Sequence, residues 1–248
     1  MTVRLRPYAP SDRAGVYHVC LVTDATGGET AAPCHDPDLP GQVYAGPYAS
    51  ADPGLAFVVT DAQGVGGYVV ATADSAGFQD WAETHWWPAL RERHPRRADP
   101  GDGTRDHELI DAIHAPPVRR PWFATHPAHL HIKLAARLQG RGLGRRLTDA
   151  VTGALRERGV PGVHLGVAGT NTGALAFYAA LGFVPLHRHA WGHTLGLALD
   201  DGSHAAHEKG DGSNARHGGD GSHAAHGEEE AAPPHGSPLR YQTKRSDP

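Results

Sequence analysis

The sequence predicts an α/β domain, a central sheet with helices on both faces, followed by a tail of different character. Three observations carry this expectation. Leu130, Ile132 and Leu134 alternate with His129, His131 and Lys133, the period of a strand with two distinct faces. The run Gln139-Gly140-Arg141-Gly142-Leu143-Gly144 follows, and then Leu143, Leu147, Val151, Ala154 and Leu155 recur with helical period to about Arg158. Val163, Leu165 and Val167 resume the strand pattern, so strand, glycine turn, amphipathic helix and strand follow one another.

The remaining elements are read in chain order. Val3, Leu5 and Pro7 give a short first strand, and Ser11 with Asp12 cap a helix over about 12–22 whose buried side is Val16, Val19 and Cys20. Residues 23–50 lose periodicity and collect Gly, Pro, Asp and Thr, which predicts a long loop or broken helix. Its Asp24, Asp36, Tyr44 and Tyr48 are available to cover a pocket. Leu55 to Thr60 and Gly67 to Thr72 flank Asp61-Ala62-Gln63-Gly64 and form a hairpin. Phe78, Trp81, Trp86, Trp87 and Leu90 predict one helix with a large aromatic face, read as core because each ring buries ~150–250 Å². Leu109, Ile110 and Ile113 start a short helix that Pro116-Pro117 ends. Beyond Val167, Asn171 opens a helix from Gly173 to Leu181, Gly182 ends it, and Phe183 to Leu186 and Thr194 to Leu199 read as an antiparallel pair.

Composition bounds the function. The chain of 248 residues has a formal net charge of -4 and no excess of basic residues to drive nucleic-acid or membrane binding. No stretch approaches the ~20 apolar residues that span a bilayer, and Met1 to Pro7 has no signal-peptide pattern. Cys20 and Cys34 form neither a disulfide framework nor a metal-ligand spacing, so a reducing, cytoplasmic setting is expected. After Leu199 the motif Asp201-Gly202-Ser203-His204-Ala205-Ala206-His207 recurs at 220–226, too short and polar to bury a core. The expected division is a domain over 1–200 and a disordered, low-complexity tail over 201–248. Its histidines have no fixed geometry for a metal, and none is expected as a cofactor.

The glycine turn is where the chemistry concentrates. Glycines at 140, 142 and 144 let backbone N–H groups point outward, and the following helix directs its positive end to the same place, which makes an anion cradle. A dinucleotide fingerprint needs glycine three residues after Gly142, where Arg145 stands, and no Lys-Ser or Lys-Thr follows as a P-loop needs. The pattern that fits is Q-x-x-G-x-G, here Gln139, Gly142 and Gly144.

With Asn171 at the next helix start and Phe177-Tyr178-Ala179-Ala180-Leu181-Gly182-Phe183 behind it, the segment from His129 to Leu186 resembles the GNAT family of acetyl-CoA-dependent N-acetyltransferases. Val16 to Leu21, Gln42 to Tyr48, Trp86 to Leu90 and His126 to Leu130 also look like the acetyltransferase-like domains of O-GlcNAcases, over most of residues 3–199. The resemblance implies a GNAT fold: a mixed, mostly antiparallel sheet splayed between strands 4 and 5. It implies acetyl-CoA, with the backbone of Gln139, Gly140, Arg141, Gly142, Leu143, Gly144 and Arg145 on the pyrophosphate, charge from Arg141, Arg145 and Arg146, a Leu134 backbone group near the thioester, and Asn171 as a hydrogen-bond partner. Tyr178 is the implied proton donor to the departing sulfur.

A general base is needed because an ammonium must lose its proton before attack. His129 and His131 lie on one strand face near the expected thioester, and Asp74 and Asp24 are alternatives acting through water. The expected reaction is direct acetyl transfer to an amine, either a small molecule or a peptide, and a homodimer is allowed. The alternative is a module of the same fold that binds acyl-CoA or a protein without turnover.

Overall fold

The computed structural model describes residues 3–24, 34–96 and 106–199. Its strands are β1 (Arg4–Pro7), β2 (Ala56–Asp61), β3 (Gly64–Thr72), β4 (Ala128–Leu134), β5 (Gly162–Ala168), β6 (Val184–Arg188) and β7 (Gly192–Ala198). They form one seven-stranded sheet in the order β1-β2-β3-β4-β5-β7-β6. All neighbours pair antiparallel except β4 and β5. The helices are α1 (Arg13–Asp24), α2 (Leu39–Tyr44), α3 (Gly46–Ala51), α4 (Ser75–His85), α5 (Trp87–Arg93), α6 (Asp106–His114), α7 (Leu143–Glu157) and α8 (Thr172–Ala179).

The alternation in β4 sorts these helices onto two faces. Leu130 is buried in a core with Val69, Val163 and Leu165 and with Leu147, Val151 and Leu155 of α7, and Ile132 and Leu134 pack against it. Each such buried side chain contributes about 1.5–3 kcal/mol. The opposite face of β2 and β3 carries Val58, Tyr68 and Val70 against Val16, Val19 and Cys20 of α1, Tyr48 of α3 and Phe78 of α4. A further cluster of Leu39, Val43, Trp87, Leu90, Leu109 and Ile113 ties α2, α5 and α6 together behind it.

Of two expectations from sequence, the structure resolves one between its alternatives and corrects the other. Residues 39–51, within the stretch expected as a long loop or broken helix, take the second form as two short helices, α2 and α3, each with proline in its first turn. Proline there supplies a helical φ and lacks only an N–H that has no intrahelical acceptor anyway. Their glycines serve close packing: a Cβ at Gly41 would collide with the Tyr17 ring, and one at Gly46 with Tyr17 and Trp86. The aromatic stretch, expected as one helix, breaks at Trp86 because Pro88 starts α5 afresh. Trp86 Nε1 donates to the Gln42 carbonyl at 2.9 Å, which fixes the break against α2. The side chain of Asp24, residues 25–33 and the tail over 201–248 lie outside the described residues.

Candidate active site

The glycine turn sits where β4 hands the chain to α7, and its glycines have different tasks. Gly140 and Gly142 have φ of 69° and 71°, and a Cβ at either would meet nothing within 4 Å. Only the backbone conformation demands glycine there, since the left-handed region costs other residues roughly 1–2 kcal/mol. Gly142 is the N-cap of α7 and brings no side-chain acceptor to the helix start. Among the described residues, the N–H groups of 140–145 find no protein acceptor, whereas Gln139 N bonds Ala136 O and Arg146 N bonds Gly142 O. A row of unsatisfied donors at the positive end of a long helix is the physical requirement for holding a pyrophosphate.

Gly144 is different: a Cβ there would stand 3.1 Å from the Phe177 ring. It lets α8 close on the start of α7. Arg145 strengthens the same contact, with Nη2 donating to the Ala180 carbonyl at 3.1 Å. The Arg145 side chain is thereby engaged at the end of α8, while its N–H stays in the turn. Arg141 and Arg146 are exposed beside it. Gln139 Nε2 donates to the Leu134 carbonyl at 2.9 Å, fastening the turn to the end of β4.

β4 and β5 run in register only at Ala128↔Val163 and His129↔His164. Past this rung β4 remains paired with β3 up to Leu134, and β5 remains paired with β7 up to Ala168. The sheet therefore forks between them, and the expected splay starts at His129. One face of the fork carries α7, α8 and Tyr178; the other carries α3 and α4.

On the α3–α4 face the two histidines enter a chain of hydrogen bonds. Ser75 Oγ lies 2.5 Å from the Pro127 carbonyl oxygen and 2.8 Å from His129 Nδ1. A carbonyl only accepts, so the single Ser75 proton goes to Pro127, and Ser75 Oγ accepts from His129 Nδ1–H. The neutral ring then has its lone pair on Nε2, which accepts from the Tyr48 hydroxyl at 2.6 Å. Tyr48 Oη in turn accepts from His131 Nε2–H at 3.1 Å. Phe78 stacks on Tyr48 at 4.2 Å and presents its edge to His129. Burial holds the Tyr48 phenol far above its ordinary range, so it keeps its proton. Of the pair, His129 is buried and His131 half-buried. The sequence offers Tyr48 only as part of a covering loop and does not single out Ser75. The usable signal was pairing: β3 places Thr72 opposite His129, which brings the start of α4 to that ring.

Tyr178 is buried between Phe177 and Phe183 at 5.1 and 5.3 Å. Among the described residues its hydroxyl has no hydrogen-bond partner, and burial raises it well above an ordinary phenol. It is on hand as a protonated donor. Asn171 caps α8, its Oδ1 accepting from Ala174 N at 3.0 Å, and Asp74 caps α4, its Oδ1 accepting from Ala76 N at 2.9 Å. The expected cofactor contact and the expected base thus each have a local structural task.

His164 shares the last rung with His129, at 5.5 Å between rings, and donates Nδ1–H to the His126 carbonyl at 2.8 Å. Burial pushes its imidazole down to about 4. Unfolding returns it to about 6.5, so the unfolded chain binds the extra proton between these values. Its contribution is complete above about 6.5 and is lost as pH falls to about 4. Urea denaturation is expected to show the wild type losing about 3 kcal/mol more than His164→Phe between pH 7 and 4. Parallel pH curves would refute this.

Among the described residues no helix is long and apolar enough to cross a membrane, and no group of His, Cys, Asp and Glu is placed to hold a metal. A sheet forked between β4 and β5, a glycine turn with unpaired backbone donors among the described residues at the start of α7, and a buried tyrosine in α8 are the parts present. The Acetyltransferase (GNAT) family profile matches residues 78–183. The crystal structure of SsHAT is similar at a TM-score of 0.71 and 36% identity, covering 81% of this chain and 100% of that one. The chain belongs to the GNAT family of acetyl-CoA-dependent N-acetyltransferases. Protein O-GlcNAcase of Mus musculus is 23% identical over 182 residues, 72% of this chain and 20% of that protein, so the match spans about a fifth of that relative's length. The structure of yncA from Salmonella typhimurium with its cofactor acetyl-CoA shares the fold at a TM-score of 0.50 and 16% identity, over 82% of this chain and 97% of that one.

Proposed function

We propose that residues 1–200 form an acetyltransferase domain that passes the acetyl group of acetyl-CoA directly to a primary amine, in the cytoplasm. The observation that carries the reading is the turn at 140–145, whose N–H groups have no acceptor among the described residues, together with the fork of the sheet between β4 and β5. Bound acetyl-CoA supplies an activated acetyl thioester. The backbone of Gln139, Gly140, Arg141, Gly142, Leu143, Gly144 and Arg145 would hold its pyrophosphate, with Arg141 and Arg146 adding charge. Unpaired backbone groups of β4 near Leu134 would orient its arm, and the Asn171 amide would contribute from the start of α8.

Tyr178 would donate its hydroxyl hydrogen bond to the departing sulfur. Its high pKa suits that task, because the proton stays on oxygen until negative charge develops beside it. On the other face, His131 and His129 would accept the proton of the attacking amine. Asp74, exposed and occupied as a cap, is the weaker candidate.

Isothermal calorimetry with acetyl-CoA tests the first half, and CoA release across a panel of small and peptide amines tests the second. Absence of binding at high micromolar acetyl-CoA would sink the proposal. Binding without CoA release from any amine would favour a binding module instead.

A further inference from the structure

The hydrogen bonds around the β4 histidines have a direction. Working inward from the half-buried end, His131 Nε2–H donates to Tyr48, Tyr48 to His129 Nε2, His129 Nδ1–H to Ser75, and Ser75 to the Pro127 carbonyl. Each donor's proton is committed to the next acceptor, so the tautomers of both rings follow from one fixed point, the carbonyl. Tyr48 joins the two rings: its hydroxyl touches both Nε2 atoms, and its ring is held by the Phe78 stack.

A chain of this kind moves a proton without moving heavy atoms. A neutral imidazole with hydrogen on Nε2 carries a lone pair on Nδ1. A proton received there by His131 frees its Nε2 proton for Tyr48 Oη, and Tyr48 passes its own proton to His129 Nε2. The positive charge then rests on His129, whose Nδ1–H points into the Ser75 hydroxyl and through it to the Pro127 carbonyl dipole. His164, the nearest titratable ring on β5, stays neutral and adds no repulsion. Tyr44 of α2 lies against His131 at 5.8 Å between rings, and Lys133 shares the strand face.

We infer that Tyr48 and Ser75 are positioning residues of the transfer reaction: Tyr48 couples His131 to His129 as one proton-accepting chain, and Ser75 fixes the tautomer in which that chain can run. This rests on the acetyltransferase reading. In the step it serves, the amine nitrogen's lone pair forms the N–C bond while the C–S pair leaves with sulfur. One amine proton enters at His131 and comes to rest on His129, and it returns to solvent by the reverse route.

The test joins kinetics to a readout that needs no turnover. With both histidine rings ¹⁵N-labelled, imidazole NMR of the wild type at neutral pH is expected to show His129 as the Nδ1–H tautomer and His131 as Nε2–H. Ser75→Ala should shift His129 toward the Nε2–H form. Tyr48→Phe should lower kcat by about 10²-fold and Ser75→Ala by about tenfold, with amine KM and acetyl-CoA affinity within about threefold, since the turn lies on the opposite face of the fork. The inference is overturned if wild-type His129 carries its hydrogen on Nε2, or if both variants keep kcat within about threefold. Should Tyr48→Phe fail to fold, Ser75→Ala and the wild-type tautomers still decide. Loss of acetyl-CoA binding in the wild type would instead remove the acetyltransferase reading and leave the tautomer result standing.

Discussion

Tyr178→Phe is expected to bind acetyl-CoA as the wild type does and to lose about 10²–10⁴-fold in turnover. The size follows from what the substitution removes. The ring keeps its contacts with Phe177 and Phe183, so the packing of α8 against the sheet is preserved. The hydroxyl has no protein partner among the described residues, so its removal leaves no buried donor or acceptor behind, and stability should change by less than about 1 kcal/mol. In the proposed role, what is lost is a hydrogen bond to a sulfur that becomes negative only as the C–S bond breaks. Such an interaction strengthens in the transition state and lowers kcat without weakening ground-state affinity. Stopped-flow or steady-state CoA release, with calorimetry on the same samples, separates the two quantities. Unchanged turnover with intact binding would assign Tyr178 to the core alone.

The parts of this site that lie close together along the chain were legible in the sequence. The alternation of β4, the glycines of the turn and the helical period of α7 are local patterns, and their bounds agree with expectation within a few residues. The Tyr-x-x-x-Gly-Phe segment reads equally well because Gly182, at φ 88°, ends the turn after α8 by its own backbone preference. The hydrogen-bond chain was not legible. Tyr48 and His129 are brought together by tertiary packing, and Tyr48 stands in a stretch whose prolines and glycines suggest a loop. Those residues are there for other reasons: Pro40 and Pro47 start helices, and Gly41 and Gly46 admit the Tyr17 and Trp86 rings. Local punctuation and close packing use the same residue types, and only the partner ring distinguishes them. Gly144 shows the same limit inside the motif itself, since its missing Cβ makes room for Phe177 as well as belonging to the cradle.

Gly142→Ala provides the sharpest separation of backbone conformation from helix composition. The methyl group would meet nothing within 4 Å, so no clash is involved, but φ is 71°. The variant must either bear about 1–2 kcal/mol of strain or rotate into the ordinary region. Rotation would turn the peptide between residues 142 and 143 relative to the turn before it and change the directions of the N–H groups there. Either course weakens the site, and acetyl-CoA affinity is expected to fall by at least about tenfold, one factor of ten being about 1.4 kcal/mol. Gly153→Ala is the matched control. It lies in the same helix with an ordinary φ and open space around its Cβ, so replacing glycine should stabilise α7 by about 0.5–1 kcal/mol and leave affinity unchanged. Opposite signs for two identical substitutions in one element, read by thermal unfolding and calorimetry, would place the binding function in the conformation of the turn. Equal effects on affinity would place it in the helix as a whole.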